Sequence, residues 1–337
     1  MLPSNETAHG AFRVFFSIGF LVLFIGGSTV FLNVTTESPQ ESAGVLQAVS
    51  QKEEAKQATV LFGGDVMLSR NIGTLMLERD GWAYPLWRIA PLLHSADITF
   101  VNLEGPISSR GTNHGSIYSF RADPRAVATL TAAGIDVVSL ANNHIFDWGP
   151  EALQDTVILL DEAGIIHAGA GQNYEAAHTP AVISRGGISF AFLAYTNLVP
   201  RSFTLASSTP AVAWAEPDAI AEDIRRAREQ ADAVIISFHF GDEYSLTHNA
   251  FQETLAHAAI DAGATLVIGH HPHVVQEVGK YKDGYIAYSL GNLLFDQNFG
   301  DTKKGLLLQV HFEDNTITGV QEIPVVFTSD YEPYLVE

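Results

Sequence analysis

Three histidines stand within four positions at the end of an apolar run, in the segment VIGHHPHVVQ at 267–276. Imidazoles at that density are either metal ligands or a crowded turn, and the segment alone does not separate the two. Other short β-branched runs end in side chains of the same kind. TVLFGG runs into Asp65, ITFVNL into Glu104, VVSLA into Asn142, Asn143 and His144, VIISF into His239, and AYSLG into Asn292. In α/β sheets a ligand binds in the crevice beyond the carboxyl ends of the strands, so six strand ends deliver Asp, Glu, Asn and His towards one rim.

Oxygen and imidazole donors without thiolate suit manganese, zinc or iron better than calcium or magnesium, so the expected cofactor is one or two divalent ions of that group. Singly, each residue has a plainer reading. Asp65 is a turn residue or helix N-cap, Asn142 and Asn143 are turn residues, and Asp147 precedes a helix begun by Gly149 and Pro150. His239 is a core histidine and Arg121, in YSFRADP, a surface charge. These readings leave unexplained why the donors share one end of successive strands.

The elements that position them follow from pattern. From Ala58 onward, β-branched runs alternate with helical stretches, which marks an α/β sheet with helices packed on it. The expected strands begin at 59-TVLFG, 98-ITFVN, 135-IDVVSLA, 188-ISFAFLAY, 233-AVIISF, 265-TLVIG and 285-YIAYSL. The chain then turns mostly to strands, with 306-LLLQVHF and 317-ITGVQEIPVVF flanking an EDN turn. Three helical stretches end in Ala-Gly before a strand, and Gly134, Gly164 and Gly263 are the expected stops.

Composition narrows the partners. Asp plus Glu number 38 against 18 Lys plus Arg, a net charge of -20, so nucleic acid is excluded as a partner and any polyanionic ligand needs cations nearby. The chain has no cysteine, which removes thiol nucleophiles, cysteine-zinc sites and disulfides. Residues Val14–Val34 carry no charge over a length of about 21 positions, enough to span a bilayer as a helix. Arg13 precedes this run and Glu37 and Glu41 follow it. The expectation is a cytoplasmic stretch 1–13, a transmembrane signal anchor 14–34, a flexible linker 35–57 and an extracytoplasmic domain 58–337, giving a single-pass cell-membrane protein. A cleaved signal peptide fits less well, because its apolar region is shorter and ends at a small-x-small site.

The motifs GDVM at 64–67, NLE at 102–104, NNHIFD at 142–147, HFGDEY at 239–244, GHHPHVVQ at 269–276 and YSLGN at 288–292 resemble the CapA-type capsule synthesis (poly-γ-glutamate synthesis) family. That family is a branch of the calcineurin-like metallophosphoesterase fold, a β-sandwich core flanked by helices. The resemblance runs from about Ala58 to the late 320s. It implies that Asp65, Asn143, His239, His271 and His273 are metal ligands and that Glu104 takes the place of the bridging acid. His144 then protonates the leaving group, Asp147 orients the His144 ring, and His270 is a loop residue outside the ligand set. Arg121, Glu243, Tyr244 and Asn292 are the candidate contacts for an anionic substrate. Two departures from the phosphoesterase pattern stand out: Asp65-Val-Met67 replaces Asp-x-His, and Asn102-Leu103-Glu104 replaces Gly-Asp-x-x-Asp, so one metal site lacks an imidazole. The implied function is capsule or poly-γ-glutamate biosynthesis through a metal-dependent hydrolase-like site, acting on a phosphoester or on the amide-linked polymer. The alternative is a non-catalytic polymer-binding or export subunit supported by metal. The implied partners are a surface polymer or its anionic precursor and a membrane-bound capsule synthesis complex.

Overall fold

The computed structural model describes residues 20–25, 28–33, 55–114, 117–204 and 208–336. The chain divides into two units, Met1–Ala55 and Lys56–Glu337. In the first, Phe20–Ile25 pairs antiparallel with Ser28–Asn33. These residues are therefore strands where a spanning helix was expected. The physical reason is legible: the run is rich in Phe and Val, which suit strands equally well. The rest of the expected anchor, the 1–13 stretch and linker residues 35–54 lie outside the described residues. No helix among the described residues is long and apolar enough to cross a membrane.

The second unit is built on two sheets. The first has the order Pro333–Leu335, Thr316–Phe327, Lys304–Glu313, Gln57–Val66, Ile98–Leu103, Val137–Ser139 and Ile166–Ala168, with Asn292–Leu294 added beside the end of Gln57–Val66. Its half from Gln57–Val66 to Ile166–Ala168 is parallel, and the other half is antiparallel. The second sheet runs Val278–Tyr281, Gly284–Ala287, Leu266–His270, Ala233–His239, Ile188–Thr196 and Ala181–Arg185, parallel at its centre.

Phe100 of the first sheet stacks on Phe192 of the second, centroids 5.5 Å apart, and Phe190 meets Phe312 edge-on at 5.0 Å. The two sheets thus share one apolar layer, to which helices Arg70–Glu78, Val127–Ala133 and Pro150–Ala163 add Ile72, Leu130 and Leu153. The other face of the second sheet buries Val234, Ile236 and Val267 against Ile224 and Ala256, from helices Pro217–Arg228 and Ala250–Asp261. Strands Ala233–His239 and Leu266–His270 are buried at every position because both faces are covered, which is why neither alternates in polarity.

Two of the expected glycine stops are left-handed helix caps, Gly134 at φ 75° and Gly164 at φ 72°. The third helix ends at Asp261, with Gly263 two residues beyond. The 135–141 run gives a strand only over Val137–Ser139, because the Ile135 N–H still closes the preceding helix onto the Leu130 carbonyl at 3.0 Å.

Candidate metal centre

Strand register assembles the centre. Parallel pairing sets Asp65 opposite Asn102, Asn102 opposite Ser139 and Asn292 opposite Asp65. In the second sheet His239 lies opposite His270. The Asp65 strand reaches the Asn292 segment so closely that a Cβ on Gly64 would stand 1.9 Å from the Gly291 carbonyl oxygen. Only glycine permits that approach, and the Asp65 N–H then donates to the same oxygen at 3.0 Å.

Two groups of donors result. Ligand atoms of Asp65, Glu104 and His239 lie within 4.8 Å of one another, all three residues being buried, and those of Glu243, His271 and His273 are equally close. His271 and His273 reach in from either side of Pro272 with positive φ, 97° and 58°. That region is costly for side-chain-bearing residues and is held here by surrounding bonds. The His271 N–H donates to Asp65 Oδ2 at 3.2 Å, and the Pro272 carbonyl accepts from the Tyr244 N–H at 2.8 Å.

The donors fit a cation on their own chemistry. Glu104 Oε1 and His271 Nδ1 are buried without a hydrogen-bond partner, which is expensive unless another group completes them. Burial pushes Glu104 well above the usual carboxylate range. Burial would raise Asp65 too, but His270 and His273 outweigh it and hold the carboxyl well below its ordinary value. Burial holds His239 well below the ordinary imidazole range and His271 down to about 3, so both stay neutral with a lone pair to give. Burial also opposes a proton on His273, yet Glu104 and Asp65 overcome it and push this ring up to about 9. A divalent ion replaces such a proton when these groups become ligands. Asn292 Oδ1 lies 3.0 Å from His273 Nδ1, which fixes the ring so that Nε2 faces Glu104 Oε1 at 3.8 Å.

His144 stands at the edge of this group, its Nε2 3.8 Å from Glu104 Oε1. Its Nδ1 is 2.7 Å from Asp147 Oδ2, which also accepts the Phe120 N–H at 2.8 Å, and its ring stacks on Phe120 at 3.9 Å. Asp147 is therefore engaged with His144 and Phe120, while the helix Pro150–Ala163 is capped by Gly149 without a side chain.

Comparison with known proteins turns this geometry into a family assignment. The profile described as "Bacterial capsule synthesis protein PGA_cap" matches residues 59–297. The chain belongs to this capsule synthesis family. It is 31% identical over 280 residues to the capsule biosynthesis protein CapA of Bacillus anthracis, covering 81% of this chain and 68% of that protein. It is 29% identical over 267 residues to the PGA biosynthesis protein CapA of Bacillus subtilis strain 168, covering 78% and 70%. In structure it resembles a hypothetical protein from Thermus thermophilus, with TM-score 0.50, 18% identity and coverage of 79% and 98%. A calcineurin-like phosphoesterase of Bacillus subtilis is among its structural neighbours at TM-score 0.45 and 13% identity, covering 80% and 90%.

Within this capsule synthesis domain several residues have positions that the sequence did not disclose. Asn102, in the middle of the NLE motif, donates through Nδ2 to Asp65 Oδ1 at 2.8 Å and lies 3.3 Å from His239 Nδ1. It links the two sheets beneath the donors. The available signal was a lone amide next to the end of a fully buried strand, level with Asp65. His270 was expected in a loop but is the fully buried last residue of its strand, its Nδ1 3.4 Å from Asp65 Oδ1. Strand pairing with His239 decides this, since it keeps His270 in the ladder and starts the turn at His271.

Asn143 Oδ1 meets His239 Nε2 at 2.8 Å. Asn142 stays below, its Nδ2 donating to the Leu103 carbonyl at 2.8 Å. Met67, at the position of the missing imidazole, turns its sulfur to the Ser69 hydroxyl at 3.0 Å. Among the residues expected to contact substrate, Glu243 joins His271 and His273 as a third donor. Asn292 lies buried behind His273, and Tyr244 sits exposed on the rim with its hydroxyl accepting from Gln297 Nε2 at 3.3 Å. Arg121 is not among the donors: its guanidinium covers Trp148 at 3.5 Å and donates to the Arg110 carbonyl at 3.1 Å. The loop carrying Glu243 is tied down by a capping box between Asn249 and Gln252, and Gln252 donates to Gln276 beyond the histidines.

Proposed function

We propose that the Lys56–Glu337 unit is a divalent-metal-dependent hydrolase acting on an anionic capsule polymer, with the γ-glutamyl amide as the bond cleaved. The observation that carries this reading is His144, held by Asp147 at 2.7 Å and aimed at the edge of a buried carboxylate-imidazole cluster with unpartnered Glu104 Oε1 and His271 Nδ1. The substrate class rests on the family and on the two relatives named for capsule and PGA biosynthesis.

Asp65, Glu104, Asn143, His239, Glu243, His271 and His273 would hold one or two ions of manganese, zinc or iron. A cation there supplies Lewis acidity towards the scissile carbonyl and water. His144 delivers its Nε2 proton to the departing amine, and Asp147 keeps Nδ1 protonated and the ring in plane. Asn292 and Asn102 hold His273 and Asp65 in register, and the Phe120 ring shields one face of His144 from water.

The second reading, a non-catalytic polymer-binding or export subunit, is favoured by Met67 at the missing histidine, with its sulfur turned away to Ser69. The two readings part on one experiment. The purified full chain is loaded with Mn, Zn or Fe and assayed on γ-glutamyl oligomers and on a phosphodiester, beside His144→Ala with matched metal content. Loss of turnover in the variant supports hydrolysis. Activity on neither substrate leaves the binding subunit, and activity indifferent to His144 removes His144 as the proton donor. The uncharged 14–34 segment further supports a membrane tether with the large unit outside the cytoplasm, within a capsule synthesis complex. Protease added to intact cells then digests the large unit, and its protection reverses the orientation.

A further inference from the structure

Beside the metal centre lies a second hollow of about 370 Å³, lined by Ser69, Arg70, Gly73, Ser108 and Arg121 among others. In a chain with 38 acidic residues and 18 basic ones, two arginines facing one hollow stand against the average. Their charge is only partly answered locally. Arg121 contacts an indole face and a carbonyl, and no carboxylate pairs with it among the described residues. Arg70 meets Asp296 through Nε at 3.2 Å, a contact that leaves both Nη atoms of the planar fork unspent. Asp123, the acidic residue on the wall, has both oxygens taken by Arg125.

The helix Arg70–Glu78 begins at this hollow with no acidic residue in its first turn, and its Asn71 N–H is met by Asp296 Oδ2 at 3.2 Å, so the arginines rather than the helix end supply the positive charge. Ser69 and Ser108 also line the wall, but their hydroxyls donate elsewhere, to the Met67 sulfur at 3.0 Å and to Asp155 Oδ2 at 2.6 Å. Arg70 itself holds φ 52°, a left-handed conformation that places the residue at the turn into the helix. The position relative to the centre is also defined. Phe120 has Arg70 Cζ 5.6 Å from its ring centroid and the His144 ring 3.9 Å away, so a single aromatic ring separates the hollow from the proton donor.

We propose that this hollow is a carboxylate subsite, in which Arg121 and Arg70 grip a free carboxylate of the polymer on the leaving-group side of the bond presented to His144. The assignment of side rests on the hydrolase reading; the capture of a polymer carboxylate does not. Planar bidentate guanidinium groups match carboxylate geometry, and a polyanion approaching a protein of charge -20 needs such cations at the mouth of the centre.

The test uses the full-length protein in detergent, stripped of metal by chelation so that neither turnover nor metal-carboxylate contacts contribute. Binding of a short γ-glutamate oligomer is measured by calorimetry for the wild type, Arg121→Gln and Arg70→Gln, and compared with the same oligomer carrying carboxamides in place of free carboxylates. The proposal expects each substitution to weaken binding about tenfold or more, with unchanged melting for Arg121→Gln, and the amide oligomer to bind no better than the variants bind the acid. Equal affinity for acid and amide oligomers, or wild-type affinity in Arg121→Gln, overturns it. If the arginine variants lose affinity while the metal-loaded wild type cleaves nothing, the subsite stands and the hydrolase reading falls.

Discussion

Replacing Asp147 by asparagine keeps the volume and one acceptor oxygen but removes the charge facing His144 Nδ1 at 2.7 Å. The two side chains are only 12% and 9% exposed, so water screens the pair little and it belongs with charge-assisted hydrogen bonds rather than surface ion pairs. Such a bond is worth about 1.5–3 kcal/mol net, against about 1 kcal/mol for a neutral one. Losing the difference, about 0.5–2 kcal/mol, frees the ring from the orientation in which Nε2 meets the leaving group and lowers kcat about 2- to 30-fold. The asparagine oxygen still accepts the Phe120 N–H, now at 2.8 Å from the carboxylate, so the fold is kept. Asp147→Ala strands that buried N–H and costs about 1–3 kcal/mol of stability as well. The assay is kcat on a γ-glutamyl oligomer at saturating metal, with metal content and melting temperature recorded for both variants. The expected result is a similar rate loss in each, with a lower melting temperature for alanine alone. Full kcat in Asp147→Asn refutes the orienting role, and so does a rate loss that merely tracks lost metal.

Glu243→Gln is expected to weaken one of two metal-binding steps about 10- to 100-fold in a calorimetric titration and to spare the other; two unchanged steps remove Glu243 from the ligand set. Gly64→Ala forces a methyl to 1.9 Å from the Gly291 carbonyl, so the strands must separate, and thermal melting should register a loss of about 3 kcal/mol, the upper end of overpacking costs. The metal-free protein is expected to lose stability as pH rises from 6.5 to about 9. His273 has its folded value raised from 6.5 to about 9, so its contribution is complete below 6.5 and gone above 9, and Glu104, also raised, acts in the same direction. Divalent metal affinity climbs over the same window as the proton is displaced; melting curves of chelated protein that stay flat from pH 6.5 to 9 contradict this.

The site was legible where backbone rules act alone. Parallel strands put their carboxyl ends on one rim, so Asp65, Glu104, Asn143, His239 and His273 are visible as strand-end residues before any coordinate is known, and the register sets Asp65 level with Asn102 and Asn292. What escaped depends on tertiary detail. Reading His270 correctly requires knowing that the strand pairing persists through it. Arg70 owes its position to a positive φ of 52° that no residue-type preference announces. Asn292 reads as a strand-end donor, but its role behind His273 emerges only from the packing of the two sheets. The N-terminal run defeats pattern reading for another reason, because an uncharged stretch rich in Val, Phe and Ile satisfies helix and strand alike.

The central claim is that the strand-end donors form a divalent-metal centre, and metal stoichiometry tests it most directly. The purified full chain is equilibrated with Mn, Zn or Fe, passed through a desalting column and analysed for metal, beside a His239→Ala/His271→Ala variant whose fold is checked by circular dichroism. The account predicts stoichiometric retention by the wild type and its loss in the folded variant. Wild-type protein that leaves the column without metal, or a variant that retains as much as the wild type, contradicts it.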